Sequence, residues 1–173
     1  MIRFSFLPFL FAFFLAGCAL SAPSYRGPMS SHFDGEKFRN QVPVPNHGFG
    51  DLIRWRFSRE PGEWNDSNHL APGPAPPERV GNGNLRVTFV NHSTVLIQMD
   101  SLNILTDPIW SDRAGPFSWA GPKRVRPPGI RFEDLPPIDA IILSHNHYDH
   151  TDIPTLKRLF ERDAPRVFVA LGN

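Results

Sequence analysis

The stretch that decides the fold is Ile138-Asp139-Ala140-Ile141-Ile142-Leu143-Ser144-His145-Asn146-His147-Tyr148-Asp149-His150. Its first six residues are mostly apolar and predict a buried β-strand. Three imidazoles and a carboxylate follow at once, and both groups are ligands that a borderline divalent metal such as zinc prefers. Open α/β folds place their sites beyond the carboxyl ends of strands. This position favours a metal site over the competing interpretation, a His-rich surface loop.

The spacing of the four candidate ligands indicates how they can divide between metals. His145 and His147 can project to the same side of an extended loop, because side chains alternate along it. Asp149 and His150 follow a turn and approach from another side, so the four suit two adjacent metals better than one tetrahedral ion. Two metals suit hydrolysis, because together they activate a water and polarise the scissile group. Asp149 could both bind a metal and act catalytically, by orienting or deprotonating that water.

Alternating apolar residues predict further strands on both sides of this motif. Runs at 85–90, 94–99 and 102–106 follow one another closely enough for an antiparallel meander. Another strand is predicted at 166–170. The sequence therefore predicts a mixed α/β domain in which the metal motif follows the fourth strand.

Two helices are also predicted. One covers 49–59 and has an apolar face. The other begins after Thr151 or Asp152, either of which can cap it, with Pro154 in its first turn. Its apolar residues recur at spacings of three and four and predict a buried face: Ile153, Leu156, Leu159 and Phe160.

The N-terminus predicts a targeting segment over residues 1–17. Phe4 to Leu15 is almost wholly apolar but too short to span a bilayer, as in a secretory signal. Leu15-Ala16-Gly17-Cys18 resembles the bacterial lipobox, whose cysteine becomes the lipidated first residue. A plain signal peptide and a buried apolar N-terminus are the alternatives, but a lone cysteine cannot form an internal disulfide, and Cys18 is the only one. By bacterial sorting rules, Ala19 predicts an outer-membrane lipoprotein facing the periplasm.

Composition bounds the remaining organisation. The length of 173 residues allows one ordinary domain or part of a larger one, and the net charge of +1 gives no reason to expect a nucleic-acid partner. Residues 18–83 include Pro-rich segments and are interpreted as a tether and N-terminal extension. Residues 84–173 are interpreted as one compact domain, which carries the metal motif.

Ser-His-x-His-x-Asp-His after a strand resembles the signature of the metallo-β-lactamase-fold superfamily. The flanking segments are similar to one branch of it, the N-acylphosphatidylethanolamine-hydrolysing phospholipase D-like proteins, with the ascorbate-phosphate lactonases as relatives. The segments that carry this resemblance are 91–97, 105–111, 118–128 and 143–150.

The resemblance implies an αββα sandwich, of the α/β (α+β) class, with two zinc ions between its sheets. His145 and His147 would bind one zinc, and Asp149 and His150 the other. Other divalent metals suit the same donors.

Several residues around the motif have less certain roles. By the same resemblance, Asp107 would support the metal ligands from behind, and its alternative role is a turn residue before Pro108. His92 also ends a strand and could face the site, but a packed or solvated histidine is the favoured interpretation. The loop 110–128 would shape an acyl channel or lid, or simply cover the surface. The other histidines are interpreted as surface residues: His32, His47 and His69.

The family's centre also requires ligands from the second half of its fold. After His150 the sequence offers only Asp152, Glu161 and Asp163. We therefore expect the N-terminal half of a sandwich, with an uncovered sheet face and strand edge. Such a chain should bind metal weakly and be inactive or nearly so, unless a second chain completes the site.

Two functions compete at this point. The first is a zinc-dependent hydrolase, anchored as a lipoprotein, that acts on a phosphodiester or related ester of a small molecule or phospholipid. The second is a catalytically inactive envelope lipoprotein that binds a metal or a partner. Lactamase activity itself is less favoured, because the flanking segments fit the phospholipase D-like branch better.

Overall fold

The structure is a computed structural model, and it describes residues 25–45, 47–62 and 71–171. The predicted signal segment 1–17, Cys18 and His69 lie outside the described residues. Contacts divide the chain into two units, Met1–Gly48 with Leu171–Asn173, and Phe49–Ala170.

The described part of the first unit is organised around an aromatic cluster. Phe33 is 2% exposed, and its ring lies 5.0 Å from that of Tyr25 and 4.6 Å from that of Phe38, between ring centroids. Next to it, Asp34 accepts several hydrogen bonds, the most important from the backbone N–H of Lys37, and these lower the pKa of Asp34 to about 2. In the described residues of the whole chain, no helix combines the length and apolar character needed to cross a membrane.

The second unit contains one mixed sheet and two α-helices, which confirms the predicted α/β class. The elements are α1 (Phe49–Ser58), β1 (Leu85–Asn91), β2 (Thr94–Met99), β3 (Leu102–Thr106), β4 (Ala140–Leu143), α2 (Ile153–Asp163) and β5 (Arg166–Val169). Strands β1 to β3 form the predicted antiparallel meander, and β3, β4 and β5 are parallel neighbours, in the order β1-β2-β3-β4-β5. A 3₁₀ turn, Phe132–Asp134, precedes β4.

The core lies on one face of the sheet. Strands β2, β3 and β4 contribute Leu96, Leu105 and Ile141, which are 0–1% exposed, and α2 covers them with Leu159, which is 0% exposed. Burial of these aliphatic side chains is the main source of stability, at roughly 1.5–3 kcal/mol each. The segment before β4 completes the core with Ile130, Phe132, Leu135 and Ile138.

The opposite face of the sheet is apolar and exposed in the described residues. On β1, Leu85, Val87 and Phe89 are 60–67% exposed. Ile142 of β4 and Phe168 of β5 continue the same face, because they pair directly in the ladder. The described residues therefore leave one face of the sheet uncovered, as predicted.

Helix α2 differs from its prediction in which residues it buries. Thr155 and Leu159 are buried, whereas Ile153 is 50% and Phe160 63% exposed. At about 100° per residue, Ile153 and Phe160 lie roughly 100° or more around the helix from Leu159, so they do not face the buried core. They line an open apolar cavity of about 300 Å³ together with Val167 of β5.

The carboxylate of Asp152 holds the start of the long loop rather than the helix N-terminus. Asp152 occupies the predicted N-cap position but makes no capping hydrogen bond. Its oxygens accept hydrogen bonds from Ser111 N at 3.0 Å, Ser111 Oγ at 2.7 Å and Trp110 N at 3.2 Å. Thr155 Oγ1 donates to the same group. This buried network attaches the loop after β3 to α2, directly behind the metal motif.

We expect Asp152→Asn to lower the free energy of unfolding by about 2 kcal/mol. The amide NH₂ would replace one carboxylate oxygen, so the buried groups that donate to that oxygen would lose their acceptor. Urea denaturation of purified protein would measure this change. Asp112→Asn is the matched control, because Asp112 is exposed on the same loop and surface substitutions usually change stability by less than about 0.5 kcal/mol. Equal urea midpoints for the two variants would show that the Asp152 network does not stabilise the fold.

Candidate metal centre

The metal motif begins where two parallel strands end side by side. Because β3 and β4 run in parallel, Asp107 after β3 lies next to Ser144 after β4. Ser144 donates to the Asp107 carboxylate through its backbone N–H and its hydroxyl, each at 2.7 Å. Asp107 is 5% exposed, and its backbone φ of 36° lies in the left-handed region. The carboxylate thus fixes the first residue of the motif.

The same carboxylate orients His150. His150 Nδ1 lies 2.9 Å from Asp107 Oδ2. Burial alone would raise the pKa of Asp107, but hydrogen bonds from His150 and Ser144 outweigh it and hold the pKa below its usual value. An ionised carboxylate only accepts hydrogen bonds, so Nδ1 is the nitrogen that donates to Asp107 and Nε2 is the nitrogen that can face a metal. This arrangement is typical of metal-binding histidines.

His145 and His147 form a separate donor pair. His145 Nε2 lies 3.1 Å from His147 Nδ1, and two donors on one zinc ion are typically about 3–3.5 Å apart, given bonds of about 2.0–2.1 Å. A tight turn holds the pair, because the backbone N–H groups of His150 and Thr151 both donate to the carbonyl of His147. The ring centroids of His145 and His150 are 4.0 Å apart.

Asp149 faces two imidazoles. Its Oδ2 lies 3.7 Å from His150 Nε2 and 3.1 Å from His92 Nε2. Burial would raise the pKa of Asp149, but the hydrogen bond from its own backbone N–H and the neighbouring imidazoles of His150 and His92 outweigh it, so the pKa falls. Asp149 is therefore ionised at neutral pH, as a metal ligand must be.

His92 lies in the candidate site, next to Asp149 and His150. A packed or solvated histidine is the role that the sequence favours for it. It occupies the two-residue turn between β1 and β2, and its ring lies 5.1 Å from that of His150. The predicted meander contained a signal for this position. In an antiparallel meander β1 and β3 run the same way, so the residues after each strand lie at one edge of the sheet.

One group of described residues brings three candidate donors together. One ligand atom each of His92, Asp149 and His150 lies within 4.8 Å of the others. His145 and His147 lie outside this group. The six donors and supporting groups are therefore arranged as a pair, a trio and the carboxylate of Asp107 behind the trio.

The three acidic residues after the motif do not join this group. Asp152 holds the loop, and Asp163 accepts a hydrogen bond from the backbone N–H of Ile138 at 2.9 Å. Glu161 lines the apolar cavity beside α2. His32 and His47 are exposed, as predicted.

The loop 110–128 folds back on itself. Arg113 and Lys123 form a β-bridge, and Arg124 donates to the carbonyl of Ser111 at 3.0 Å. Phe117 and Trp119 are exposed and stack with their ring centroids 5.3 Å apart. The acyl channel or lid stays a prediction for this loop.

Comparison of the sequence with known proteins identifies relatives of this chain. Residues 102–172 match the family described as a β-lactamase superfamily domain. The chain is 39% identical over 114 residues to an uncharacterized protein of Mycobacterium tuberculosis, covering 61% of this chain and 31% of that protein. It is 46% identical over 90 residues to the N-acyl-phosphatidylethanolamine-hydrolyzing phospholipase D 1 of Caenorhabditis elegans, covering 51% and 25%.

A third relative has a different activity in its name. The chain is 30% identical over 111 residues to the cytidine monophosphate-N-acetylneuraminic acid hydroxylase of Mus musculus, covering 64% of this chain and 19% of that protein. The matched region thus spans less than a third of the length of each of these relatives.

Proposed function

We propose that the chain carries part of the metal centre of a zinc-dependent hydrolase, and the premise is the match of residues 102–172 to the β-lactamase superfamily domain. The observation that carries the proposal is the contact of Asp107 with His150 Nδ1. This contact turns His150 Nε2, the nitrogen that can bind a metal, toward Asp149 Oδ2 at 3.7 Å. Imidazole and carboxylate donors at such separations suit zinc and, less specifically, other divalent metals.

Each residue has a distinct part in this proposal. His145 and His147 would hold one zinc, and Asp149 and His150 a second. Zinc, when bound, lowers the pKa of a coordinated water and polarises the scissile group. Asp149 would also orient that water and accept its proton at a carboxylate oxygen. Asp107 would keep His150 in the tautomer that binds metal.

A phosphodiester is the substrate class that we propose, with a phospholipid as one form of it. The support is the 46% identity to a relative whose name states hydrolysis of N-acyl-phosphatidylethanolamine. The hydroxylase relative shows why substrate must be tested, because one fold supports several reactions.

Zinc binding by the purified chain tests the metal part of this proposal. We expect His147→Ala to weaken zinc binding at least 10-fold in calorimetric titration, because it removes a direct donor. His32→Ala should bind zinc as the unmodified chain does, because His32 is exposed and belongs to the other unit. Equal affinities for the two variants would show that the motif is not the zinc site.

Hydrolysis separates the enzyme from the inactive envelope lipoprotein. We expect the chain to release nitrophenol slowly from bis(4-nitrophenyl) phosphate, and a chelator or Asp149→Asn should abolish this release. The chain should open a chromogenic β-lactam no faster than it cleaves the phosphodiester. The rate should be low, because the described residues bring only three donors together around one position. Zinc binding without any phosphodiester cleavage would favour the inactive protein.

We also propose that the chain is a lipoprotein of the bacterial outer membrane that faces the periplasm. The support is the lipobox-like Leu15-Ala16-Gly17-Cys18 and the absence of any other cysteine in the sequence. Anchoring would hold the site beside phospholipid substrates.

Expression in a bacterium with radiolabelled palmitate tests this anchor. The unmodified chain should incorporate label and enter the outer-membrane fraction. Cys18→Ser should incorporate none, because no other thiol is available for the lipid. Label retained in Cys18→Ser would contradict the anchor without affecting the proposed chemistry.

A further inference from the structure

We propose that His92 is a third protein ligand of the divalent cation held by Asp149 and His150, so that one site consists of two imidazoles and one carboxylate. The inference rests on the metal-binding function proposed above but concerns a residue outside the His-x-His-x-Asp-His motif. It makes the turn between β1 and β2 part of the metal centre.

The distances between donor atoms support a shared ion. His92 Nε2 and His150 Nε2 lie 3.1 Å and 3.7 Å from the same oxygen, Asp149 Oδ2. Donors bound to one zinc at about 2.0–2.1 Å are themselves about 3–3.5 Å apart in a tetrahedral site. The three ligand atoms fall within 4.8 Å of one another, so they converge on a single position.

The backbone at His92 is also unusual. Its φ of 42° lies in the left-handed region, which few residues other than glycine adopt, although histidine does so more often than most. Such a conformation costs about 1–3 kcal/mol and tends to persist at functional sites. Here it positions an imidazole over Asp149 at the edge of the sheet where β3 and β4 also end.

The surroundings suit a catalytic rather than a purely structural ion. A set of two histidines and one carboxylate is a known catalytic zinc arrangement that leaves a position open for water. The side chains of His92 and Asp149 are 51% and 43% exposed, so water can reach that position. Asp107 behind His150 supplies the second carboxylate, which orients the ligand without binding the ion.

The alternative role for His92 is a hydrogen-bond donor that only positions Asp149. The two roles differ in what a substitution must preserve. Glutamine at position 92 keeps an N–H donor at similar reach but is a poor zinc ligand. His92→Gln therefore removes coordination while it preserves the hydrogen bond.

Cadmium-113 added to the full chain with ¹⁵N-labelled histidine tests coordination directly. The His92 ring signals are assigned by their loss in His92→Gln. We expect a one-bond coupling between cadmium and a His92 ring nitrogen. In His92→Gln, the affinity for the zinc ion held by Asp149 and His150 should fall at least 10-fold. In His32→Gln, this affinity should not change.

The outcomes separate this inference from the proposed function. Metal bound by the unmodified chain with no coupling to His92, or with full affinity in His92→Gln, would overturn the ligand role alone. A chain that binds neither zinc nor cadmium would overturn both proposals. The coupling itself is measured on the unmodified chain, and the variant is needed only to assign the His92 ring signals.

Discussion

The buried carboxylate of Asp107 is the constraint on which the candidate site depends. A carboxylate in a protein interior is costly unless hydrogen bonds compensate it. Here Ser144 donates twice and His150 once, so a single group joins the end of β3, the first residue of the motif and one predicted ligand. The requirement to satisfy Asp107 therefore fixes both the path of the loop and the tautomer of His150.

The topology of the sheet explains why this constraint acts at one place. Strands β1, β3 and β4 run in the same direction, so the residues that follow them meet at one edge. Those residues are His92, Asp107 and Ser144, and the first two have φ values in the left-handed region. Two strained turns thus direct polar side chains toward the same volume, which the motif enters from the third strand.

Much of this arrangement was predictable because it is encoded locally. Alternating or continuous apolar runs located β1 to β5, and the spacing of His145, His147, Asp149 and His150 located the motif. The contacts that the sequence did not predict are long-range. His92 meets Asp149 across 57 positions, and Ser111 meets Asp152 across 41. The buried stripe of α2 also depends on where the sheet lies, which helical periodicity alone does not determine.

The one-sided core gives the polar contacts unusual weight. Only the face with Leu96, Leu105 and Ile141 is buried, while Val87 and Phe89 on the opposite face are at least 60% exposed in the described structure. Sheets solvated on one face usually carry polar residues there, but this face carries apolar ones. Because these apolar side chains are exposed, they add little to the packing that stabilises the fold. With fewer packed contacts to hold the loops, their order depends on the two buried carboxylates. Asp107 fixes the motif to the sheet, and Asp152 fixes the preceding loop to α2, so the geometry at the proposed metal centre follows from these two hydrogen-bonded acids.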